Sequence, residues 1–212
     1  MLTWWLLTTA ITLSWSALAD RSGPWRELSY RGHTAYTIQR DSTATDSATS
    51  YLHAEARGTY SALVHVVPKG AGLTELSWRW RVLRHPDGAD PSSRKRDDRA
   101  AGVFVLVHRS VLPWRTRGIL YQWSPAGAPG VWTSSPYASE IKVLTLQTAP
   151  AGPAWRTEQR DIRADLLAAF GVVPSSIEAI GVVCDADNTG GTAISEFGEL
   201  MCRFQELPRR DR

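Results

Sequence analysis

The chain has 212 residues, of which 43% are hydrophobic and 21% are charged. This composition is typical of a globular protein with room for one domain, and it excludes disordered and collagen-like chains. The 24 basic residues nearly balance the 21 acidic residues, for a formal net charge of +3. That charge is too small for a protein whose main task is to coat nucleic acid or anionic lipid, so we expect no nucleic-acid partner.

The N-terminal segment has the pattern of a secretory signal. Residues 2–19 carry no charged side chain and end in Ala17-Leu18-Ala19, a small-x-small pattern that signal peptidase accepts. No basic residue precedes this apolar run, which leaves an uncleaved membrane anchor as the alternative. We predict a signal peptide over residues 1–19 and one domain over residues 20–212. That domain is expected to be periplasmic or secreted, with no stable membrane span.

Apolar and polar residues alternate through much of the remaining chain, which predicts β-strands. The predicted strands are residues 35–38, 51–56, 60–67, 73–83, 102–108, 118–123, 140–147, 177–184 and 199–204. Residues 84–99 and 124–136 are rich in Pro, Gly and Ser and are predicted to be loops.

One helix is predicted, from Asp161 to Phe170, because its apolar residues recur at helical spacing. Asp161 is suited to cap its N-terminus, and Gly171 stands where a left-handed C-terminal cap belongs. Many short strands, one helix and no βαβ rhythm predict a mainly all-β fold. We expect an antiparallel jelly-roll-like β-sandwich with one short α-helix.

Five segments in a fixed order suggest a family. They are residues 76–82 (LSWRWRV), Asp97-Asp98 before residues 103–105, residues 119–123 (ILYQW), residues 160–165 leading into Phe170-Gly171, and residues 185–190 (DADNTG). Together they resemble the bacterial exported family called domain of unknown function 3047. The resemblance implies a jelly-roll-like β-sandwich in the periplasm with no established activity. Gly102 stands where an arginine is expected in that family, so a site lined by that arginine would be altered here.

The motifs of common enzyme classes are absent from the sequence, including the nucleophile elbow, the phosphate loop and the zinc-protease helix. Its five histidines form no pair with metal-ligand spacing. Asp97 and Asp98 are carboxylates, but adjacent residues of a strand point to opposite faces, which suits a hydrolytic pair poorly. We therefore expect a non-catalytic protein. The alternative is a hydrolase of envelope polysaccharide or peptidoglycan that uses Asp97, Asp98 or Asp185.

Aromatic and arginine side chains on the predicted strands indicate a ligand-binding surface. A sugar ring stacks its apolar face on an exposed aromatic side chain, while Arg and Asp bond its hydroxyl groups. The expected ligand is a saccharide or another molecule of the cell envelope. Within residues 73–83, alternation also allows Trp78 and Trp80 to lie in the core with the arginines in solvent. The candidate ligand-binding residues are Arg79, Arg81, Asp97, Asp98, Tyr121 and Trp123.

A calcium site is predicted after the strand at residues 177–184. Oxygen-bearing side chains stand at positions 1, 3, 5 and 12 of a loop with Gly190 at position 6, which is the spacing of a calcium loop. These candidate ligands are Asp185, Asp187, Thr189 and Glu196. The alternative is a plain turn held by side-chain bonds to backbone amides, with Gly190 and Gly191 at positive φ.

Cys184 and Cys202 are the two cysteines of the chain. Each lies in a predicted strand, and these strands are expected to be neighbours. Export permits a disulfide, whereas two buried free thiols are the alternative, and the sequence leaves both open.

Overall fold

The computed structural model describes residues 8–20, 22–40, 50–68, 71–108, 112, 115–174 and 176–206. A short 3₁₀ helix, Trp15–Ala19, follows the first strand. The one α-helix of the described chain, α1, spans Ile162–Phe170. The strands are β1 (Thr8–Leu13), β2 (Trp25–Arg31), β3 (Ala35–Arg40), β4 (Ser50–Arg57), β5 (Tyr60–Val66), β6 (Ala71–Arg84), β7 (Arg99–His108), β8 (Arg117–Trp123), β9 (Trp132–Ser134), β10 (Ile141–Gln147), β11 (Arg156–Asp161), β12 (Ala179–Asp185), β13 (Thr192–Gly198) and β14 (Leu200–Glu206).

The strands form two seven-stranded sheets that pack face to face. The first sheet has the order β1-β14-β6-β13-β4-β3, and β11 also pairs with β6. The second sheet has the order β2-β5-β12-β7-β8-β10-β9. Neighbouring strands are antiparallel except for β8 and β10, which pair in parallel. The predicted jelly-roll-like β-sandwich is confirmed, with this one parallel pair as a difference.

The core between the sheets is rich in tryptophan. Trp78 and Trp80 point inward from β6 and are buried, as the alternation in residues 73–83 allows. Their rings meet edge to face with centroids 5.5 Å apart, and Trp80 meets Trp123 of the second sheet at 5.8 Å. Edge contacts between aromatic rings are a favoured geometry, so these residues fix how the two sheets face each other.

Helix α1 begins and ends where the sequence predicts. The Asp161 side chain accepts a hydrogen bond from the backbone N–H of Ala164, and Gly171 has φ +71°. Ile162 and Leu166 are buried against the sandwich. In the part of the chain that the structure describes, no helix is long and apolar enough to cross a membrane.

Residues 8–20, within and just after the predicted signal peptide, lie against the first sheet. Strand β1 pairs with β14 from Thr8↔Gln205 to Leu13↔Leu200. Trp15 is fully buried and its indole N–H donates to the Phe197 carbonyl. Cleavage after Ala19, which stays a prediction, would remove β1 and the Trp15 side chain.

The two cysteines are free and buried. Cys184 lies on β12 of the second sheet and Cys202 on β14 of the first, so the expectation that their strands are neighbours is wrong. Burial raises the pKa of each thiol to about 12. Both side chains therefore act as small apolar groups of the core.

Candidate functional site

The second sheet carries apolar side chains on both of its faces. One set faces the core, and the other forms a separate cluster on the outer face. That outer cluster consists of Ala62, Val64, Phe104, Leu106, Leu120, Val143, Ala179 and Val183. An antiparallel sheet commonly presents a polar face to water. These side chains are at most 9% exposed, so they line a recess, and a mainly apolar recess often marks a binding site. The outer face of the second sheet is therefore a candidate ligand-binding surface.

Two glycines allow their neighbours to pack closely on this outer face. A Cβ at Gly181 of β12 would collide with the ring of Phe104 and with the Leu63 carbonyl. A Cβ at Gly102 of β7 would lie 2.7 Å from Val183 and 2.9 Å from Leu120. An arginine at position 102, which the family resemblance leads one to expect, would thus require these neighbours to move. The Arg99 side chain instead passes beside this position, with its Cδ 3.5 Å from where that Cβ would be.

A cleft of about 350 Å³ lies on this face and crosses the strands from β2 to β10. Its floor is the apolar cluster, whereas one end is polar. The side chains of the polar end are Tyr30, Tyr60, Asp97, Arg99, Asp185, Asp187 and Asn188. They meet there because Asp185 is paired across the sheet with both Tyr60 and Arg99. The volume falls at the small end of the range for small-molecule sites, about 300–1,000 Å³.

A buried ion-pair group forms the base of the polar end. The Arg99 guanidinium donates to Asp97 at 2.5 Å and lies 3.8 Å from the Asp185 carboxylate. Burial raises the pKa of Asp185 well above its ordinary value, more than the Arg99 charge lowers it, and the Asp98 carboxylate adds to the rise. An additional positive group, or a proton, therefore stabilises this end.

Asp98 holds the turn that follows β12. Its carboxylate accepts the backbone N–H groups of Asn188 and Thr189, each at 2.8 Å, and the Thr189 hydroxyl at 2.5 Å. Gly190 in this turn has φ +70°, as the turn alternative expects, whereas Gly191 does not have the expected positive φ. The turn is thus fixed by a residue 90 positions away in sequence, and not only by its own side chains.

Three carboxylates of this region could hold a metal ion. Oxygen atoms of Asp98, Asp185 and Asp187 lie within 4.8 Å of one another. Thr189 donates its hydroxyl to Asp98. Glu196 points away, to the outer face of the first sheet, where it pairs with Arg81 at 2.5 Å and with His53 at 3.0 Å. Of the four predicted calcium ligands, the carboxylates of Asp185 and Asp187 lie together with that of Asp98. The predicted twelve-residue calcium loop is not formed, because its last ligand, Glu196, points elsewhere.

Arg79 and Arg81 lie on the outer face of the first sheet, away from the cleft. Their guanidinium carbons lie 4.5 and 4.6 Å from the ring centroid of Trp155. Tyr51 meets the same indole edge to face at 5.7 Å. Arginine and aromatic side chains are therefore combined on this face, as predicted. The aromatic partners are Trp155 and Tyr51, and the pattern of the strands did not indicate that they would contact these arginines.

Tyr121 and Trp123 lie in the core between the sheets. The Tyr121 hydroxyl donates to Asp165 at 2.6 Å, and the Trp123 indole donates to the Ala149 carbonyl at 2.7 Å. Both side chains are at least 98% buried, so they present no ring face to a ligand. Of the six candidate ligand-binding residues, the structure places Asp97 at the polar end of the cleft. Asp98 lies behind that end and holds the turn at Asn188 and Thr189, and the other four lie elsewhere.

Several residues of the cleft escaped the sequence analysis, above all the tyrosines. Tyr30 stacks on Tyr60 with ring centroids 4.6 Å apart and is about half exposed. The Tyr137 hydroxyl donates to the Arg94 carbonyl and accepts from the Asn188 side chain at 2.6 Å. The sequence feature that could have indicated this cleft is the unbroken run of apolar residues in β7 and in β12, which is typical of strands buried on both faces.

Residues 23–201 match the family model described as Protein of unknown function (DUF3047). The chain belongs to this family. The sequence resemblance is thereby confirmed over nearly all of the predicted domain. None of the curated proteins matches the sequence of this DUF3047 chain.

Several solved structures resemble the chain. One is a family 11 carbohydrate-binding module from Clostridium thermocellum in complex with a β-1,3-1,4-mixed-linked tetrasaccharide; it is 10% identical with a TM-score of 0.42, and the match covers 91% of this chain and 94% of that one. A thermostable cellulase derived from Cel12A of Rhodothermus marinus is 12% identical with a TM-score of 0.42, over 84% and 99% of the two chains. The xyloglucanase domain of NopAA from Sinorhizobium fredii, in complex with cellobiose, is 10% identical with a TM-score of 0.40, over 82% and 91%. At these identities and TM-scores the likeness carries no argument about the ligand of this chain.

Proposed function

We propose that the protein is an exported, non-catalytic binding protein that takes a saccharide or another envelope ligand in the cleft on the outer face of the second sheet. The cleft is the observation that carries this proposal. Ligand sites are typically concave and mainly apolar, with a few polar groups that fix orientation. This cleft combines an apolar floor with carboxylate, guanidinium, amide and phenol groups at one end.

The polar end suits hydroxyl groups. A hydroxyl donates and accepts at once, and this end offers the carboxylates of Asp97, Asp185 and Asp187 as acceptors beside Arg99 and Asn188 as donors. The half-exposed ring of Tyr30, already stacked on Tyr60, offers an aromatic face to a sugar ring.

A bound calcium ion is the second part of the proposal. Calcium takes six to eight oxygen ligands, preferably carboxylates. The oxygen cluster of Asp98, Asp185 and Asp187 supplies three carboxylates. Arg99 and Arg31 compensate part of their charge, at 3.8 Å from Asp185 and 3.9 Å from Asp187. Each carboxylate has about four acceptor sites, so Asp98 retains capacity for a cation beside its three hydrogen bonds to the turn. A cation there would stabilise the folded state by mass action.

A hydrolase that uses Asp185 as its acid is the second candidate. The observation in its favour is the raised pKa of this carboxyl group in a cleft, which is a property of general acids. Asp97 and Asp98 suit this role less well, because their carboxylates are already bonded to Arg99 and to the turn. Release of soluble fragments from labelled peptidoglycan or polysaccharide, lost in Asp185→Asn, would establish the hydrolase and overturn the non-catalytic proposal.

The binding proposal is tested with the full chain and two probes. N-phenyl-1-naphthylamine, a neutral apolar dye, should become fluorescent in the presence of the protein, and a glycan array with peptidoglycan fragments should show retained ligands that displace the dye. Ala62→Phe fills the floor and should reduce the dye signal at least about fivefold, whereas Ala168→Phe on the exposed side of α1 should not. Tyr30→Ala should abolish glycan retention, with Tyr51→Ala on the first sheet as its control. A protein that binds neither dye nor glycan would overturn the proposal.

A further inference from the structure

The floor of the cleft is built for hydrocarbon and not for a sugar ring. Phe104, Leu106, Leu120, Val64 and Ile141 line it from four strands, and the nearby polar side chains Thr116 and Ser135 belong to the loops beside β8 and β10. A hydroxyl group pressed onto this floor would lose its hydrogen bonds to water without replacement. A saccharide alone would therefore fit the polar end and leave the floor unused.

The charge of the polar end selects among head groups. Within the described residues that line the cleft, Arg99 is the basic side chain, whereas Asp97, Asp185 and Asp187 are acidic. Arg99 is already paired with two of these carboxylates. Arg31 lies 3.9 Å from Asp187 and adds a second positive charge. Without a bound cation, a phosphate, sulfate or carboxylate head would still meet more negative than positive charge and would be repelled. Fatty acids and phospholipids are thus poor ligands for this end.

The carboxylates of this end attract an ammonium group, whereas hydroxyl groups match its hydrogen-bonding groups. An ammonium only donates, whereas this end presents donors as well as acceptors, from Arg99 and from the Asn188 amide. The polar end and the apolar floor are one continuous cleft, so a single molecule that has both characters would satisfy both regions.

We infer that the ligand is a neutral amphiphile, in which a hydroxyl-rich head such as a sugar is joined to one aliphatic chain; this rests on the proposed binding function. The head binds between Tyr30 and the Asp97–Arg99–Asp185 group. The chain lies across the floor, over Phe104 and toward Leu106. A volume of about 350 Å³ accommodates one chain, so the cleft takes a single-chain amphiphile.

The test uses hexyl, octyl and decyl β-glucosides with the full chain in chelator, each below its critical micelle concentration. Binding is followed by displacement of N-phenyl-1-naphthylamine, and glucose, octanol, octyl sulfate and octyltrimethylammonium are compared. Affinity should rise about fourfold for each added CH₂ group, the fold-change that corresponds to burial of one methylene. Glucose, octanol and octyl sulfate should each bind at least about tenfold more weakly than octyl glucoside, because each lacks one of the matched features. Ala62→Phe should remove the dependence on chain length, and the control Ala168→Phe should keep it.

Each contrary result has a defined meaning. If glucose or an oligosaccharide binds as tightly as octyl glucoside, the aliphatic chain contributes nothing and the amphiphile is rejected while cleft binding stands. If octanol, octyl sulfate or octyltrimethylammonium binds best, the hydroxyl-rich head is rejected and cleft binding again stands. If neither the dye nor any of these compounds binds, the proposed function itself fails.

Discussion

Replacement of Asp98 by alanine should destabilise the protein more than loss of most other acidic residues. Asp98 is 1% exposed and accepts three hydrogen bonds from the turn at Asn188 and Thr189. Each hydrogen bond to a charged group contributes about 1.5–3 kcal/mol. The three share one carboxylate and are not additive. Removal of Asp98 also relieves its repulsion of Asp185, so we expect a net loss of about 3–5 kcal/mol, less than the sum of the three bonds.

Thermal unfolding followed by circular dichroism measures this effect. For a chain of this size each kcal/mol shifts Tm by about 2–4 °C, so Asp98→Ala should melt about 6–20 °C below the wild type. Asp90→Ala is the matched control, because Asp90 also accepts bonds from a turn, at Ser92, and from Arg96, but in an exposed loop. That variant should melt close to the wild type.

The measurement is made in chelator and again in millimolar calcium. In chelator the difference between Asp98→Ala and the wild type reports the lost hydrogen bonds and the relieved repulsion of Asp185, without a contribution from bound calcium. An Asp98→Ala variant that melts within about two degrees of the wild type in chelator would refute the inference that this carboxylate fixes the turn.

Four further predictions concern calcium binding, the role of Trp15, cleavage after Ala19 and the two cysteines. Millimolar calcium should raise the Tm of the wild type by several degrees relative to chelator, and Asp187→Ala should abolish that rise; equal melting in calcium and chelator would contradict the calcium proposal. Trp15→Ala should destabilise the full-length chain by about 3–5 kcal/mol, as expected for a fully buried tryptophan, and unchanged melting would show that residues 8–20 do not contribute to folding. Mass spectrometry of the protein from its native envelope should show Asp20 as the first residue, whereas an intact Met1 would support the anchor. Cys184 and Cys202, with pKa values of about 12, should react with iodoacetamide at pH 8 only after unfolding, and rapid labelling of the folded protein would contradict their burial.

Much of the sandwich could be predicted because its signals are local. The alternation in residues 73–83 predicted which side chains of β6 face the core, and Asp161 and Gly171 marked the ends of α1. Strand β13 was missed because residues 192–198 follow Gly190-Gly191 and include Glu196, which fitted a calcium loop. In the structure the Glu196 carboxylate pairs with Arg81 and His53 of the two neighbouring strands. The alternation within a single strand cannot indicate such partners.

The site was harder to predict because it depends on strand order. Tyr30, Tyr60, Arg99 and Asp185 come from four strands that are distant in sequence and adjacent only in the second sheet. Asp98 and the turn at Thr189 are joined across 91 positions. No local pattern contains that information, although the unbroken apolar runs of β7 and β12 did signal a sheet covered on both faces.

Asn188 connects two neighbourhoods of the molecule. Its backbone N–H is fixed by Asp98, and its side chain donates to the Tyr137 hydroxyl at the wall of the cleft. A shift of the turn at Asn188 would therefore also move the loop that contains Tyr137 and borders the cleft. A shift of that loop would move the turn in the same way. Occupancy of the carboxylate cluster and occupancy of the cleft should then be thermodynamically linked, with each changing the affinity of the other by the same factor. Asn188→Ala should weaken this coupling because it removes the bond to Tyr137. Asn188 is also a donor at the polar end, so the variant's affinity for each ligand alone is measured beside the coupling.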